Sequence, residues 1–335
     1  MSGFSIGDLA QTFMLQRRGA ALKAEMTRLN EELATGQVSD VKSVLAGNVS
    51  YLADIERDLK SLSGYRVAAT EAAQFADSTQ AALDRLDADV GDLGTALVTT
   101  ASSALGPVLD QLSTDAAARL DAMVGTLNTT TGGRSLFAGA ASDQLAVADA
   151  DVIMTGVRAA TAGQTTVSGI IQAARQWFDD PNGFAATAYS GASEDMARFR
   201  VAKDETIGVQ LKADDDVFRD VLMHTAVAAL AADPAFSLST AERQDLLVQT
   251  GSSLSSARSN LTATQANVGA SQARLETLIT RNATEETTLN YAKGALLQAD
   301  PYETATELEA VQFQLQSLYT ITARMSDLSF VNFIR

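Results

Sequence analysis

Residues 301–335 read PYETATELEAVQFQLQSLYTITARMSDLSFVNFIR. Apolar side chains recur along this stretch in alternating steps of three and four residues, with Thr322 in the one polar slot. They are Leu308, Val311, Leu315, Leu318 and Met325. This spacing is typical of the seam of a helix that packs on another helix. Pro301 stands at the start, where a missing N–H costs little, so we predict a packed helix from Pro301 onward.

The apolar character of this helix continues to the last residues, where Leu328, Phe330 and Phe333 lie. Chain ends usually fray unless another part of a structure holds them. An apolar terminal helix is therefore expected to bury its seam against a partner helix.

A second seam lies near the other end of the chain, within residues 8–35. Its members are seven residues apart or fill the intermediate positions: Leu15, Leu22, Met26, Leu29 and Leu33. Gly36 follows, and glycine suits the left-handed conformation that ends many helices. We predict that this helix stops at Gly36 and that a short polar link, residues 37–43, follows it.

Two long helices are predicted between these terminal segments. Residues 47–104 contain no proline and carry apolar residues in steps of three and four. After a capping-box start at Ser239 and Glu242, a second segment repeats an apolar residue every seven positions. The row is Leu247, Leu254, Leu261, Val268 and Leu275, and it resumes at Leu289 and Leu296 after a break at Asn282. A helix of about fifty residues would be about 75 Å long, which suits a rod.

The centre of the chain has a different texture. Residues 140–239 hold the only tryptophan, Trp177, and two of the four prolines. We predict short helices near 165–178 and 216–231, and a β-hairpin within 196–211 where apolar residues alternate. A further helix, capped by Ser113, is predicted over 113–130.

The predicted fold is mainly α: an elongated antiparallel helical bundle or coiled-coil rod, formed by the N- and C-terminal segments, with a small α+β insert. The expected divisions are an N-terminal assembly arm, a first rod segment, an inserted domain, a second rod segment and a C-terminal assembly arm. They span residues 1–45, 46–139, 140–239, 240–299 and 300–335. We assign the seams of 47–104, 113–130 and 240–297 to the core of one subunit.

Composition excludes several classes of function. The net charge is −16 with no basic block, so the sequence predicts neither nucleic-acid binding nor attraction to an anionic membrane. The chain has no cysteine, which excludes disulfides and thiolate sites. Its single histidine, His224, has neither a cysteine nor a second histidine with which to form a metal site or a catalytic nucleophile–base pair. We interpret Asp214–Asp216 as the acidic start of a helix. No catalytic, cofactor or metal site is predicted.

Targeting signals give a further expectation. No N-terminal stretch has the charged start, apolar middle and small-residue end of a secretory signal. No apolar run approaches the roughly 20 residues that span a bilayer. We therefore expect a cytosolic chain, or one that leaves the cell without a cleaved signal.

Three stretches together resemble the bacterial flagellin family. Leu29–Gly36 reads LNEELATG and is similar to the ending of the family's first helix. Leu127–Gly139 reads LNTTTGGRSLFAG and is similar to the segment after the third helix in the family's hook–filament junction proteins. Residues 312–335 resemble the shared apolar tail. The resemblance covers roughly residues 8–140 and 240–335, and the link after Gly36 is shorter than in most members.

This resemblance implies an extracellular structural subunit of the flagellum, exported unfolded by the flagellum's own type III apparatus. The implied partners are further copies of itself in a ring, hook-associated protein 1 on the hook side, flagellin on the filament side, and an export chaperone. The two terminal arms would pack with those of neighbours, and the insert would lie outward. No enzyme activity is implied.

The candidate assembly interface consists of the seam residues of both arms, with Leu328, Phe330 and Phe333. Ordering a segment costs conformational entropy, so we expect the arms, roughly 1–40 and 300–335, to be mobile in the free subunit and helical in the assembly. Two alternatives to a junction protein stay open: flagellin itself, the main filament subunit, and a soluble helical adaptor or scaffold.

Overall fold

The computed structural model describes the backbone of residues 6–41 and 49–333, and the side chains of residues 10–41 and 49–325. Contacts divide the chain into two units. The terminal unit comprises Met1–Leu62 and Ala283–Arg335, and the central unit comprises Ser63–Asn282. The division falls within two long helices, so each unit contains a part of both.

Helices make up most of the described chain. They are α1 (Ile6–Thr35), α2 (Val49–Ala101), α3 (Gly106–Leu127), α4 (Ala150–Thr161), α5 (Val167–Asp179), α6 (Phe184–Thr187), α7 (Asp216–Ala229), α8 (Thr240–Leu297) and α9 (Pro301–Phe333). A 3-10 turn at Leu230–Ala232 follows α7. Two antiparallel hairpins pair β1 (Thr130–Thr131) with β2 (Arg134–Ser135), and β3 (Phe199–Ala202) with β4 (Glu205–Ile207).

Within the central unit, α2 and α8 run antiparallel, side by side. Polar side chains bridge them at successive levels: Arg258 to Asp87, Gln265 to Asp84 and Gln272 to Asp77. The heptad row of α8 lies beneath these bridges, and Leu247, Leu254, Leu261, Val268 and Leu275 are all buried. The first five positions of the predicted row are therefore part of the core of this unit, whereas Leu289 and Leu296 lie in the terminal unit and are partly exposed.

The start of α3 differs from the prediction. Ser113 was expected to cap a helix over 113–130, but α3 begins at Gly106 with Pro107 in its first turn, and Ser113 is buried inside the helix. Proline is well suited to the first turn because its fixed φ and missing N–H cost nothing there. The break after α2 is thus short, and α3 packs on α7.

The predicted hairpin is confirmed, and it explains the break in the heptad row. The β3–β4 hairpin is packed beside α8, where the buried Asn282 donates a hydrogen bond of 2.8 Å to the carbonyl of Val201. Glu205 of β4 pairs with Arg274 and Arg281 on either side. Asn282 therefore satisfies the backbone of β3 where a leucine could not.

The segment after α3 joins the long helices to the insert. Asn128 exchanges two hydrogen bonds with the backbone of Val147, and Phe137 packs edge-on against Phe218 of α7 at 5.2 Å. Arg134 pairs with Glu71 and lies over the ring of Phe199. The segment that resembles junction proteins thus contacts α2 through Arg134 and the insert through Asn128 and Phe137.

The prediction of a mainly α chain with long paired helices and a small α+β insert is confirmed. The insert contributes α4–α7 and the β3–β4 hairpin to one apolar core shared with α2, α3 and α8. In the part of the chain that the structure describes, no helix combines the length and the apolar character that crossing a membrane requires.

Candidate assembly interface on the terminal helices

The predicted site lies on α1 and α9, which a short main-chain strap joins at one end. Gly36 adopts a φ of +68° and ends α1, as predicted. Gln37 then pairs with Gln298, and flanking hydrogen bonds run from the amide of Val38 to the carbonyl of Leu297 and from the amide of Ala299 to the carbonyl of Gly36. We call this arrangement the strap.

A buried carboxylate reinforces the strap. Glu32 is 4% exposed, accepts two hydrogen bonds from Arg28 at 2.7 and 2.8 Å, and accepts another from the amide of Ser39 at 2.8 Å. Arg28 also bonds Glu25, and this bond lowers the pKa of Glu25 and raises the pKa of Arg28. Since a buried carboxylate is costly without hydrogen-bond partners, the bond from Ser39 to Glu32 ties the link to the last turns of α1.

At the start of α9, Asp300 acts as the cap. Its carboxylate accepts hydrogen bonds from the amides of Tyr302 and Glu303 at 2.8 and 3.2 Å. Pro301 occupies the first position of α9, as predicted. These features set where α9 begins beside the end of α1.

The two terminal helices run antiparallel and pack on each other. A side chain on Gly19 would meet Leu318 at 3.3 Å, the ammonium of Lys23 lies 5.8 Å from the ring centre of Tyr319, and Gln11 contacts the sulfur of Met325. The structure therefore brings the two predicted seams together within one chain.

Burial of the predicted seam residues is uneven. Leu29, Leu308 and Leu318 are buried. The partly exposed members are Leu15, Leu22, Met26, Val311, Leu315 and Met325. Leu33 is 42% exposed. The predicted contacts of Leu328, Phe330 and Phe333 lie outside the residues whose side chains are described.

Several apolar side chains on this helix pair remain at the surface. Phe13 and Met14 of α1 are each 67% exposed, and Phe313 of α9 is 71% exposed; Tyr319 and Ile321 are also exposed. A groove of about 270 Å³, here called the arm groove, lies between the helices, and its lining includes Arg18, Leu22, Phe313, Ser317, Leu318 and Ile321. Large exposed apolar patches mark interaction surfaces.

Most of this surface lies outside the residues that the seam spacing predicts, since Phe13, Met14 and Phe313 flank the seam. The sequence does indicate these residues, because aromatic and long apolar side chains beside a complete seam make the apolar stripe wider than one partner helix can cover.

The remaining candidate groups fit structural roles. His224 is 4% exposed within α7, as predicted for a packed residue, and burial lowers its pKa to about 4, with a further contribution from Arg175. Asp215 and Asp216 stand at the start of α7. In the described part of the chain, no group of three histidine, cysteine, aspartate or glutamate side chains is placed to hold a metal ion.

A comparison with protein families finds a match to the C-terminal part of the chain. A family model described as the bacterial flagellin C-terminal helical region matches residues 252–334. Residues 252–334 are therefore similar to this region of flagellin. The match spans most of α8 and the whole of α9, so it includes the α9 half of the candidate interface. The resemblance to the flagellin family predicted from the sequence is confirmed there.

Solved structures support the fold. A protein from Vibrio parahaemolyticus, assigned as a flagellar hook-associated protein, superposes with a TM-score of 0.51 at 14% sequence identity. The superposition covers 75% of this chain and 99% of the other. Comparison with curated proteins gave no match.

The C-terminal helices are thus similar to those of flagellin, and the fold is shared with a flagellar hook-associated protein. The family model covers the C-terminal helices, and the structural likeness, at its low identity, shows the fold alone.

Proposed function

We propose that this chain is the structural subunit that joins the flagellar hook to the filament, of the type called hook-associated protein 3. The observation that carries the proposal is the exposed apolar surface on α1 and α9, within and beside the region that matches flagellin. A subunit that assembles through its terminal helices needs such a surface, because association is driven by apolar burial.

The proposed assembly interface consists of the exposed and partly exposed seam residues with the arm groove. Leu29, Leu308 and Leu318 are already buried within the single chain. They would support the interface by holding α1 against α9, while Leu15, Leu22, Leu33 and Met325 stay accessible in part to a neighbour.

The proposed partners are further copies in a ring, hook-associated protein 1 at the hook side, flagellin at the filament side and an export chaperone. The proposed location is outside the cell, reached through the flagellum's type III apparatus. The chain would act by contact alone, without catalysis or a cofactor.

Flagellin is the second candidate, because the matched C-terminal region belongs to that family. The segment 133–139 favours the junction role through its resemblance to junction proteins. The insert at residues 140–239 is also modest in size for a main filament subunit.

Seeded assembly tests the two candidates. Purified protein is incubated with short sheared filaments or with isolated hook ends and viewed by negative-stain electron microscopy. We expect attachment at hook ends without long growth; long new filaments would establish the flagellin role instead. Protein that joins neither end, and that is found only in the cytosol, would favour the adaptor.

A matched pair of variants links the test to the proposed surface. Phe13→Ser with Phe313→Ser removes exposed apolar area from the terminal helices, whereas Leu145→Ser removes it from an exposed position in the insert. We expect the first variant to lose attachment and the second to retain it. Equal behaviour of the two would contradict the proposed interface.

A further inference from the structure

The charges of the terminal helices are segregated along the helix pair. α1 carries a basic segment, made of the exposed residues Arg17, Arg18 and Lys23. α9 carries an acidic segment, made of the exposed residues Glu303, Glu307 and Glu309. No charged residue occurs in α9 between residues 310 and 323.

The two segments do not meet within the chain. Gly19 and Lys23 lie beside Leu318 and Tyr319, so the basic segment faces the uncharged stretch of α9. Within residues 10–41 and 49–325, the ion pairs of the terminal unit involve other groups, such as Arg28 with Glu32 and Lys293 with Glu56. Both segments therefore keep their charge available.

The arm groove connects these charges to an apolar contact. Arg18 of the basic segment lines it together with Phe313 and Ile321. Glu307 precedes Ile321 by two heptads, which places both on the same face of α9. Acidic charge, apolar groove and basic charge thus follow one another along one side of the helix pair.

The displacement between the segments follows from helix geometry. The basic segment lies at the level of Leu318, and the acidic segment lies 9 to 15 residues before it at Glu303–Glu309. At 1.5 Å per residue this is about 14–23 Å along the axis.

We propose that a second copy of this chain docks on the terminal helices in parallel, displaced by about 14–23 Å, with its acidic segment against the basic segment of the first copy. The arm groove takes apolar side chains between them. This inference rests on the proposed assembly function and adds the register of the contact. Its two surfaces differ, so each copy keeps one segment free for another neighbour, as rings and filaments require.

Charge reversal tests the contact. Glu303→Lys, Glu307→Lys and Glu309→Lys make both segments basic, and Arg17→Glu, Arg18→Glu and Lys23→Glu make both acidic. Sedimentation velocity at low salt should show that each triple variant fails to self-associate, because like charges meet. An equal mixture of the two should regain association, because opposite charges then meet at every contact.

A matched control separates this contact from net charge. Asp121→Lys, Asp143→Lys and Glu276→Lys make the same change in net charge at exposed positions of the central unit. This variant should associate as the unaltered chain does. Circular dichroism should show unchanged helix content in all variants, since every substituted side chain is exposed.

The absence of cysteine allows a direct test of the register. Under mild oxidation, Arg18→Cys with Glu307→Cys in one chain should give a ladder of cross-linked oligomers, and either single variant alone should give none. A band that stops at the dimer would mean a closed two-fold contact and would overturn the parallel register.

Failure of the inference is distinguishable from failure of the proposed function. Association that ignores both charge reversals, in chains that still attach to hook ends, would overturn the register and leave the function standing. An unaltered chain that joins neither itself nor a flagellar end would overturn the proposed function first.

Discussion

Two antiparallel helix contacts of this molecule use the same kind of apolar seam with different results. Between α2 and α8 in the central unit, the seam of α8 is fully buried, because α3 and the insert cover what one partner helix leaves open. Between α1 and α9 in the terminal unit, most seam positions stay partly exposed and aromatic side chains flank them. A pair of helices has too little surface to bury two wide apolar stripes. The comparison shows that a third layer decides whether a seam becomes core or interface.

Limited proteolysis should show the largest contrast between these contacts. We expect α1 and α9 of the free protein to be cleaved well before the central unit, since few apolar contacts hold them. A difference of about 3 kcal/mol in the free energy of opening corresponds to roughly 100-fold in cleavage rate. Mass spectrometry of the early fragments locates the cuts. Arms that resist as long as the central unit would contradict their predicted mobility in the free subunit.

Truncating one leucine in each contact sharpens the comparison. Leu254→Ala should lower the free energy of unfolding of the central unit by about 2–5 kcal/mol, because it leaves a cavity in a closed core. Leu22→Ala, at a partly exposed position of α1, should lower the free energy of unfolding of the terminal unit by about 1 kcal/mol. Urea unfolding followed by Trp177 fluorescence and by circular dichroism reports both. Similar losses would mean that the two seams are equally closed.

Acid should weaken the central unit through His224. Its pKa in the folded chain is about 4, below the ordinary 6.5, so the unfolded chain binds the proton first as the pH falls. The contribution of neutral His224 to the free energy of unfolding is fully present above pH 6.5. About 3 kcal/mol of that free energy is lost as the pH falls from 6.5 to 4.

The matched variant His224→Leu should show a smaller loss over the same range in urea unfolding read from Trp177. The difference between the two profiles isolates the histidine from the carboxylates, which also titrate near pH 4. Parallel profiles would refute the role of His224.

Helix spacing offers a smaller test in the same contact. A Cβ at Gly251 of α8 would lie 2.8 Å from the Cβ of Leu97 and 2.9 Å from the carbonyl oxygen of Gly94, so Gly251→Ala should destabilise the central unit by about 1–3 kcal/mol. Gly269→Ala on the same helix meets no atom within 4 Å and should stabilise it by about 0.5–1 kcal/mol. Thermal unfolding of both variants checks the opposite signs, and equal signs would show that α2 and α8 do not approach this closely.

The cap of α9 should give the smallest effect. Asp300→Ala removes the acceptor of two amides and should destabilise the start of α9 by about 1 kcal/mol. Hydrogen exchange at Tyr302 and Glu303 should speed up about fivefold. Glu309→Ala, at an exposed position of the same helix, serves as control and should leave these amides unchanged.

Periodicity predicted the long helices well, because a seam over many heptads leaves few alternatives. The row from Leu247 to Leu275 and the stop at Gly36 depend on local sequence alone, and both are present. The predicted start of α3 was wrong because the cap preference of Ser113 is weak compared with the fixed backbone of Pro107. The role of Asn282 could not be predicted, because its partner Val201 is distant in sequence.

The candidate interface was predictable only in part. Seam spacing identified α1 and α9, but a periodic pattern is the same whether its partner lies in the same chain or another. Only the packed structure separates Leu318, which the pair buries, from Phe313, which it leaves outside. The strap could not be predicted from the sequence either, since main-chain pairing between Gln37 and Gln298 carries no sequence signature.

The strap also bears on how the terminal helices find each other. α1 and α9 come from opposite ends of the chain, and a freely diffusing pair of such segments would meet rarely. Once Gln37 and Gln298 are paired, the last turn of α1 and the first turn of α9 share a high effective concentration, of order millimolar or more. Pairing can then proceed like a zipper from Leu29 and Leu308 towards Gln11 and Met325. The contact nearest the strap would form first. The stretch around Gln11 would be the last to pair, either with α9 of its own chain or with a neighbouring copy.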